Sequence, residues 1–142
     1  FPAKGPSVFT WATTASRTFI CSNNLSSAFL LCSSLSHINI PNSVKEIGNA
    51  AFYKCSSLKS IEIPNTITRI DYSAFMGCSN LTSIILPKSV ISIRDMAFCD
   101  CDILKDVYYL GTEDEWKKIS IGSYNTDLTN ATIHYNYVPE EN

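Results

Sequence analysis

Residues 51–64 read AFYKCSSLKSIEIP, and the same arrangement returns 23 residues later as AFMGCSNLTSIILP in residues 74–87. Residues 28–41 and 97–110 repeat it at the same interval, with no insertion between the copies. The constant columns are Ala28, Ala51, Ala74 and Ala97; Phe29, Phe52, Phe75 and Phe98; Cys32, Cys55, Cys78 and Cys101; and Leu35, Leu58, Leu81 and Leu104. A unit this small cannot bury its own apolar face, so the copies must stack and share one core. The sequence therefore predicts a solenoid.

Each repeat is expected to contain a short strand and a second inward-facing stretch. Ile61 and Ile63 alternate with polar residues and precede a proline, which is typical of a strand with one buried face. Residues 67–70 supply further inward side chains, and residues 71–78 indicate a short helical turn with Asp71 as a candidate N-cap. Equivalent strands would lie side by side at a spacing of ~4.8 Å, so four coils extend roughly 15 to 20 Å.

The pattern Ala-Phe-x-x-Cys-x-x-Leu-x-x-Ile-x-Ile-Pro in residues 51–64 resembles the BspA-like class of leucine-rich repeats. The resemblance covers about residues 28–110, and the tail is similar to the closing segment found after such repeats in bacterial members. It implies a secreted or surface-anchored protein of a host-associated bacterium or parasitic protist, with a role in adhesion. The shared positions are core positions, so the resemblance transfers an architecture and no catalytic residue. The predicted fold class is α/β: a right-handed leucine-rich-repeat solenoid with a C-terminal cap.

Three segments are expected along the chain. Residues 28–110 form about four coils, and residues 111–142 form a C-terminal cap in which Thr112 and Glu115 make a capping box. Trp116 follows within that short helix and is expected to anchor the cap. Residues 1–27 do not fit the repeat and form an atypical N-terminal segment or cap. The alternative is a truncation that leaves an apolar coil face exposed, so the chain is expected to be a monomer or to self-associate weakly end to end.

The outward side chains of the strands form the candidate binding face. It comprises His37, Asn39, Ser60, Glu62, Ser83, Ile85, Asp106 and Tyr108. In solenoids the sheet side is a common binding surface, and Ile85 beside Tyr108 would form an apolar patch on it. The alternative is an ordinary solvated sheet face with one aromatic side chain covered by the cap.

The repeat cysteines are interpreted as a ladder of small buried groups, with one cysteine in each coil. Parallel side chains in equivalent rotamers do not aim at each other as a disulfide requires, and the paired spacings of a zinc site are missing. Cys21 and Cys99 stand outside the ladder and are the candidates for other pairing.

Composition and motifs argue against catalysis. The only histidines are His37 and His134, at opposite ends of the predicted solenoid, and the acidic residues 113–115 suit a helix start. No catalytic, cofactor-binding or metal-ligating residue is therefore predicted, and no cofactor. The 11 basic and 13 acidic residues give a net charge of −2 without charge runs, so neither nucleic acid nor membrane insertion is expected.

The function predicted from these features is a non-catalytic binding or adhesion module, extracellular or at the cell surface. Its partner is expected to be a host or matrix protein or a glycan, held by the sheet face. A structural spacer within a larger cell-surface protein is the alternative, and it would hold neighbouring domains away from the cell wall.

Overall fold

Alternating isoleucines place a short strand at the same point of successive coils. The computed structural model describes residues 24–141, and its elements repeat with the sequence period. In chain order they are β1 Ser60–Glu62, β2 Arg69–Ile70, β3 Ser83–Leu86, β4 Ser92–Ile93, β5 Asp106–Tyr109, α1 Glu113–Trp116, β6 Ser120–Ile121, α2 Thr126–Asn130 and β7 Thr132–His134. Each strand is too short to be stable alone, so its stability comes from the strands on either side.

Two parallel sheets form two sides of the solenoid. The first is four-stranded, in the order β1-β3-β5-β7, and the second is three-stranded, in the order β2-β4-β6. Ile61 pairs with Ile84, and Ile84 with Val107, so equivalent repeat positions are in register. All the sheet pairs are parallel, as stacked coils of one hand require. These contacts confirm the predicted solenoid of stacked repeats.

The core is a set of ladders, one for each constant column of the repeat. Phe29, Phe52, Phe75 and Phe98 are fully buried, and neighbouring rings stack with their centroids 5.1 Å apart. The leucine and isoleucine columns are buried in the same cluster, together with Ala51, Ala74 and Ala97, and Ala28 packs against it partly buried. Each coil therefore covers the apolar side chains of the next.

The third side of each coil differs from the helical turn expected there. Residues 48–56 and 71–79 form successive turns, and Asp71, expected as an N-cap, accepts a hydrogen bond from the N–H of Tyr72 without starting a helix. Two residues in each repeat have a left-handed backbone, such as Ala50 and Lys54 with φ of 53° and 54°. A left-handed residue at every fourth position interrupts the helical hydrogen-bond pattern. In residues 24–141 the α-helices belong to the cap alone.

Backbone N–H groups on this third side alternate in direction. Those of Ala50, Phe52 and Lys54 donate to carbonyls of the next coil, at 2.9, 2.7 and 2.7 Å. The N–H groups between them donate to the carbonyl three residues earlier in their own coil. Half of the groups thus tie one coil to the next, and a regular helix would lose those bonds.

The first described residues already pack on the solenoid. Asn24 forms a parallel bridge with Glu46, the N–H of Ser27 donates to the carbonyl of Asn49, and Leu25 is fully buried. Residues 1–23, to which most of the predicted atypical N-terminal segment and Cys21 belong, lie outside the described residues.

The C-terminal segment covers the last coil with both backbone and side chains. Strand β7 pairs with β5, and the predicted capping box is present: the Thr112 side chain accepts from the N–H of Glu115, whose carboxylate accepts from the N–H of Thr112. Trp116 meets the buried Tyr109 edge to face, with the ring centroids 5.3 Å apart. The anchoring role expected for Trp116 is consistent with this contact.

Candidate functional site

The outward side chains of the four-stranded sheet form two columns, which we call the sheet face. The first column is Ser60, Ser83, Asp106 and Thr132, and the second is Glu62, Ile85, Tyr108 and His134. Six of the eight residues predicted from the sequence lie here, while the inward residues between them are buried. His37 and Asn39 are exposed on the first coil, but residues 36–40 form no strand, so these two extend the face beyond the sheet edge.

Inward and outward positions of the same strands differ in how far they vary among repeats. Ile38, Ile61, Ile84 and Val107 keep one kind of side chain in the core. The outward position that follows carries asparagine, glutamate, isoleucine and tyrosine in successive coils. Stacking therefore restricts the inward column, while the outward column is free to take other functions.

A groove of about 390 Å³ runs along the ends of the strands, and we call it the strand-end groove. It spans four coils, from Asn39 in the first to Leu110 in the fourth, and combines the outer strand residues with the turns that follow them. Its lining includes Asn39, Asn42, Glu62, Asn65, Ile85 and the proline column Pro41, Pro64 and Pro87. The prolines end the strands because they cannot donate to a sheet ladder, and the chain turns away at the same place in each coil.

The turns supply a part of the groove that was not predicted from the sequence. Asn42 and Asn65 follow the prolines at the repeat interval, which was a visible signal. Asparagine after proline is also an ordinary turn residue, so its type alone does not distinguish a lining residue from a turn former. Of the predicted face, Asn39, Glu62 and Ile85 line the groove, whereas Tyr108 does not.

Tyr108 belongs to an aromatic cluster at the cap end of the sheet face. Its ring stacks on His134 with centroids 4.7 Å apart and meets Tyr137 at 4.8 Å. His134 lies directly across on the neighbouring strand, so the stacked face of Tyr108 points along the sheet and not outward. The alternative of an aromatic covered by the cap therefore describes Tyr108 in part, since its side chain remains half-buried.

Asp106 and His134 join the last two strands of the face. The carboxylate oxygen Oδ1 of Asp106 lies 2.8 Å from Nε2 of His134. This pair occupies positions in adjacent columns of the sheet face. It fixes the orientation of the His134 ring that stacks on Tyr108.

Three of the four repeat cysteines, Cys55, Cys78 and Cys101, are core residues, as the ladder interpretation requires, and Cys32 on the first coil is partly buried. The thiol of Cys78 donates to the carbonyl of Phe52 at 3.1 Å, and Cys55 and Cys101 make the same bond one coil away. Burial raises the pKa of the Cys55 and Cys101 thiols to about 12. A neutral, buried thiol is a poor nucleophile and a poor metal ligand.

Within residues 24–141, no three His, Cys, Asp or Glu side chains are grouped closely enough to hold a metal ion. Cys99, singled out for separate pairing, is a free thiol on the partly exposed side of the last coil. No helix in the described part of the chain is long and apolar enough to span a membrane.

The family described as BspA type leucine-rich repeat region matches residues 18–138 in six copies. The chain belongs to this family. The match begins before residue 24 and continues through the cap, so it covers more of the chain than the four regular repeats. No curated protein sequence matches significantly.

Two solved structures are similar to the chain. A leucine-rich cell surface protein from Faecalibacterium prausnitzii is 39% identical over 67% of this chain, with a TM-score of 0.65. A leucine-rich repeat protein from Bacteroides ovatus is 24% identical over 70% of this chain, with a TM-score of 0.51, and supports the fold alone. The chain spans 25% and 37% of those two structures, so each neighbour is a much longer protein.

Proposed function

We propose that the chain is a non-catalytic protein-binding module of a bacterial cell-surface protein, and that it binds through the sheet face and the strand-end groove. The observation that carries the proposal is the contrast within single strands, where buried positions are constant and exposed positions change from coil to coil. Because stacking does not restrict the exposed positions, their side chains can be selected for binding to a partner. The stacked repeats of this family hold the exposed side chains in a fixed arrangement.

A protein partner fits the face better than a glycan does. Sugar rings pack against the open faces of aromatic side chains, but the Tyr108 ring is stacked on His134 and contacts Tyr137. The groove instead offers amides beside proline and isoleucine side chains, the mixture common at protein interfaces. The glycan of the earlier expectation is therefore the less favoured ligand.

Surface location and adhesion form part of the proposal. The similar protein of Faecalibacterium prausnitzii is a leucine-rich cell surface protein. A module on the surface of a host-associated bacterium meets host matrix proteins first, so these are the proposed partners.

The test is a binding screen of the intact chain against immobilised host matrix proteins. Ser60 lies exposed on the sheet face, and Ser60→Tyr places a bulky neutral group there. We expect it to weaken attachment at least about tenfold, because the larger side chain would clash with a partner held on the sheet face. The matched control is Ser79→Tyr on an exposed turn at the side away from the sheet. Equal binding by both variants would remove the sheet face from the proposal.

One observation favours the spacer as a second candidate. The chain spans only 25% of the Faecalibacterium prausnitzii structure, so repeats of this kind form part of longer surface proteins. A spacer needs a stable solenoid and no partner on its face. A negative screen with a folded chain would favour this alternative.

A further inference from the structure

Among residues 24–141, one charged side chain lines the strand-end groove. Its lining consists of asparagine amides, proline rings and aliphatic side chains together with the carboxylate of Glu62. Glu62 is exposed at the end of β1, and none of the ion pairs formed within residues 24–141 includes it. The groove is therefore negatively charged at its second coil.

The lysines that follow the groove-lining turns, Lys45 and Lys88, contact other groups. Lys88 follows Pro87 in the third coil, but it lines a separate small pocket of about 180 Å³ together with Glu115. Lys45, on the first coil, places its ammonium 3.4 Å from the backbone carbonyl of Asn42. Neither contact neutralises Glu62, so a cation from outside the chain can pair with it.

The sheet face beside the groove adds one other carboxylate, that of Asp106, whose Oδ1 lies 2.8 Å from Nε2 of His134. None of the eight residues predicted for the binding face is lysine or arginine, so Glu62 supplies the charge that a partner meets in the groove. Charge complementarity therefore favours a basic partner over an acidic one, and like charges placed opposite each other would reject the latter.

The length and lining of the groove suit an extended peptide. Four coils stacked at ~4.8 Å give a groove roughly 15 Å long, which holds about four residues of extended chain at ~3.3 Å each. Asn39, Asn42 and Asn65 lie along it, and each amide can both donate to and accept from a peptide backbone.

We propose that the strand-end groove binds an extended segment of a partner protein carrying a lysine or arginine whose side chain pairs with Glu62. The asparagine amides hydrogen-bond to the backbone of that segment, and the proline and isoleucine side chains pack against its aliphatic parts. This inference rests on the proposed function and names the chemistry of the partner.

The experiment is selection of random hexapeptides displayed on phage against the intact chain. We expect the selected peptides to be enriched in lysine and arginine. Synthetic copies of the best of them should bind Glu62→Gln about two- to fivefold more weakly than the parent, as expected for an exposed ion pair. Binding to the parent should also weaken between about 50 mM and 500 mM salt.

The matched control is Glu140→Gln, which removes one negative charge from the exposed tail. It should bind the same peptides as the parent does. Equal losses in both variants would mean a response to net charge alone and would overturn the assignment to Glu62.

Failure of this inference is distinct from failure of the proposed function. Selected peptides without basic residues, or binding that is unchanged in Glu62→Gln, would overturn the basic segment. If Ser60→Tyr still blocked attachment to a matrix protein, the sheet face would remain the binding surface. If no peptide were enriched over a blank support, the groove would not be a peptide site.

Discussion

At the scale of single residues, the buried cysteines hydrogen-bond to backbone carbonyls of the preceding coil. The carbonyl of Phe52 accepts the N–H of Cys55 within its own coil and the thiol of Cys78 from the next coil, both at 3.1 Å. Cysteine suits this place because it is small, is tolerated in a core and donates weakly. The position thus connects packing with the backbone bonds between coils.

The buried thiols make stability depend on alkaline pH. Burial raises the pKa of Cys101 from the usual 9.0 to about 12, and the Asp127 carboxylate adds to the shift. The unfolded chain therefore loses this proton first, and the free energy of unfolding falls as the pH rises from 9.0 towards 12. We expect Cys101→Ala to lessen that fall by about 1 kcal/mol per pH unit in urea titrations.

Val90→Ala is the matched control for the alkaline experiment, because it also shortens a buried side chain but removes no titratable group. It should lower stability equally at every pH. An unchanged pH dependence in Cys101→Ala would show that the thiol does not stay protonated in the folded state.

A second feature at the scale of single residues is that several non-glycine residues have a left-handed backbone. Ala50 has a φ of 53°, and in this conformation its Cβ lies too close to the following carbonyl oxygen. Glycine has no Cβ and therefore avoids this clash. We expect Ala50→Gly to raise the free energy of unfolding by about 0.5 to 1 kcal/mol in chemical denaturation. The neighbouring Ala51, buried and without a positive φ, should respond to glycine with a loss. A loss at both positions would contradict the left-handed assignment.

At the scale of elements, the cap ends the stack by replacing a missing coil with side chains. The N–H of Phe98 would donate to a carbonyl of the next repeat, and instead it donates to Oδ1 of Asn125 at 2.9 Å. The Asn125 amide nitrogen donates in turn to the carbonyls of Arg94 and Gly122, at 2.9 and 3.0 Å. One buried amide thus satisfies three backbone groups.

Asn125→Ala should destabilise the protein by about 2 to 3 kcal/mol, because it leaves the buried N–H of Phe98 and a carbonyl without partners. Asn125→Asp should be intermediate, since a carboxylate keeps the acceptor but faces two carbonyls. Urea denaturation measures both variants. Asn130→Ala, exposed at the end of α2, is the control, and a loss equal to that of Asn125→Ala would refute the capping role.

Some of the elements could be predicted from the sequence and others could not. The repeat period was sufficient to predict the strands, because alternating isoleucines at a fixed interval fit only stacked coils. The third side was harder, because apolar residues at positions such as Ala51, Phe52 and Cys55 fit a helix and a chain of turns equally well. The role of Asn125 depends on contact with a residue 27 positions away, and the groove depends on the shape of turns. Neither follows from residue types.

At the scale of the whole molecule, the coils share one continuous core. A single cluster of buried side chains runs from Leu25 to Leu128 and includes the four stacked phenylalanines. Neighbouring coils supply most of the area that each coil buries, so no coil is expected to remain folded alone. The sheet face keeps its geometry only while the stack is intact.

Because the core is continuous, we expect a destabilising substitution in one coil to unfold the distant cap as well. Leu58 is fully buried in the second coil, and Leu58→Asp puts a charge in the core, at a cost above about 4 kcal/mol. Hydrogen exchange should then show loss of protection in residues 112–137 as well as around residue 58. Glu62→Ser, exposed in the same coil, should leave both regions protected. Protection that persisted in the cap of Leu58→Asp would mean that the coils fold independently.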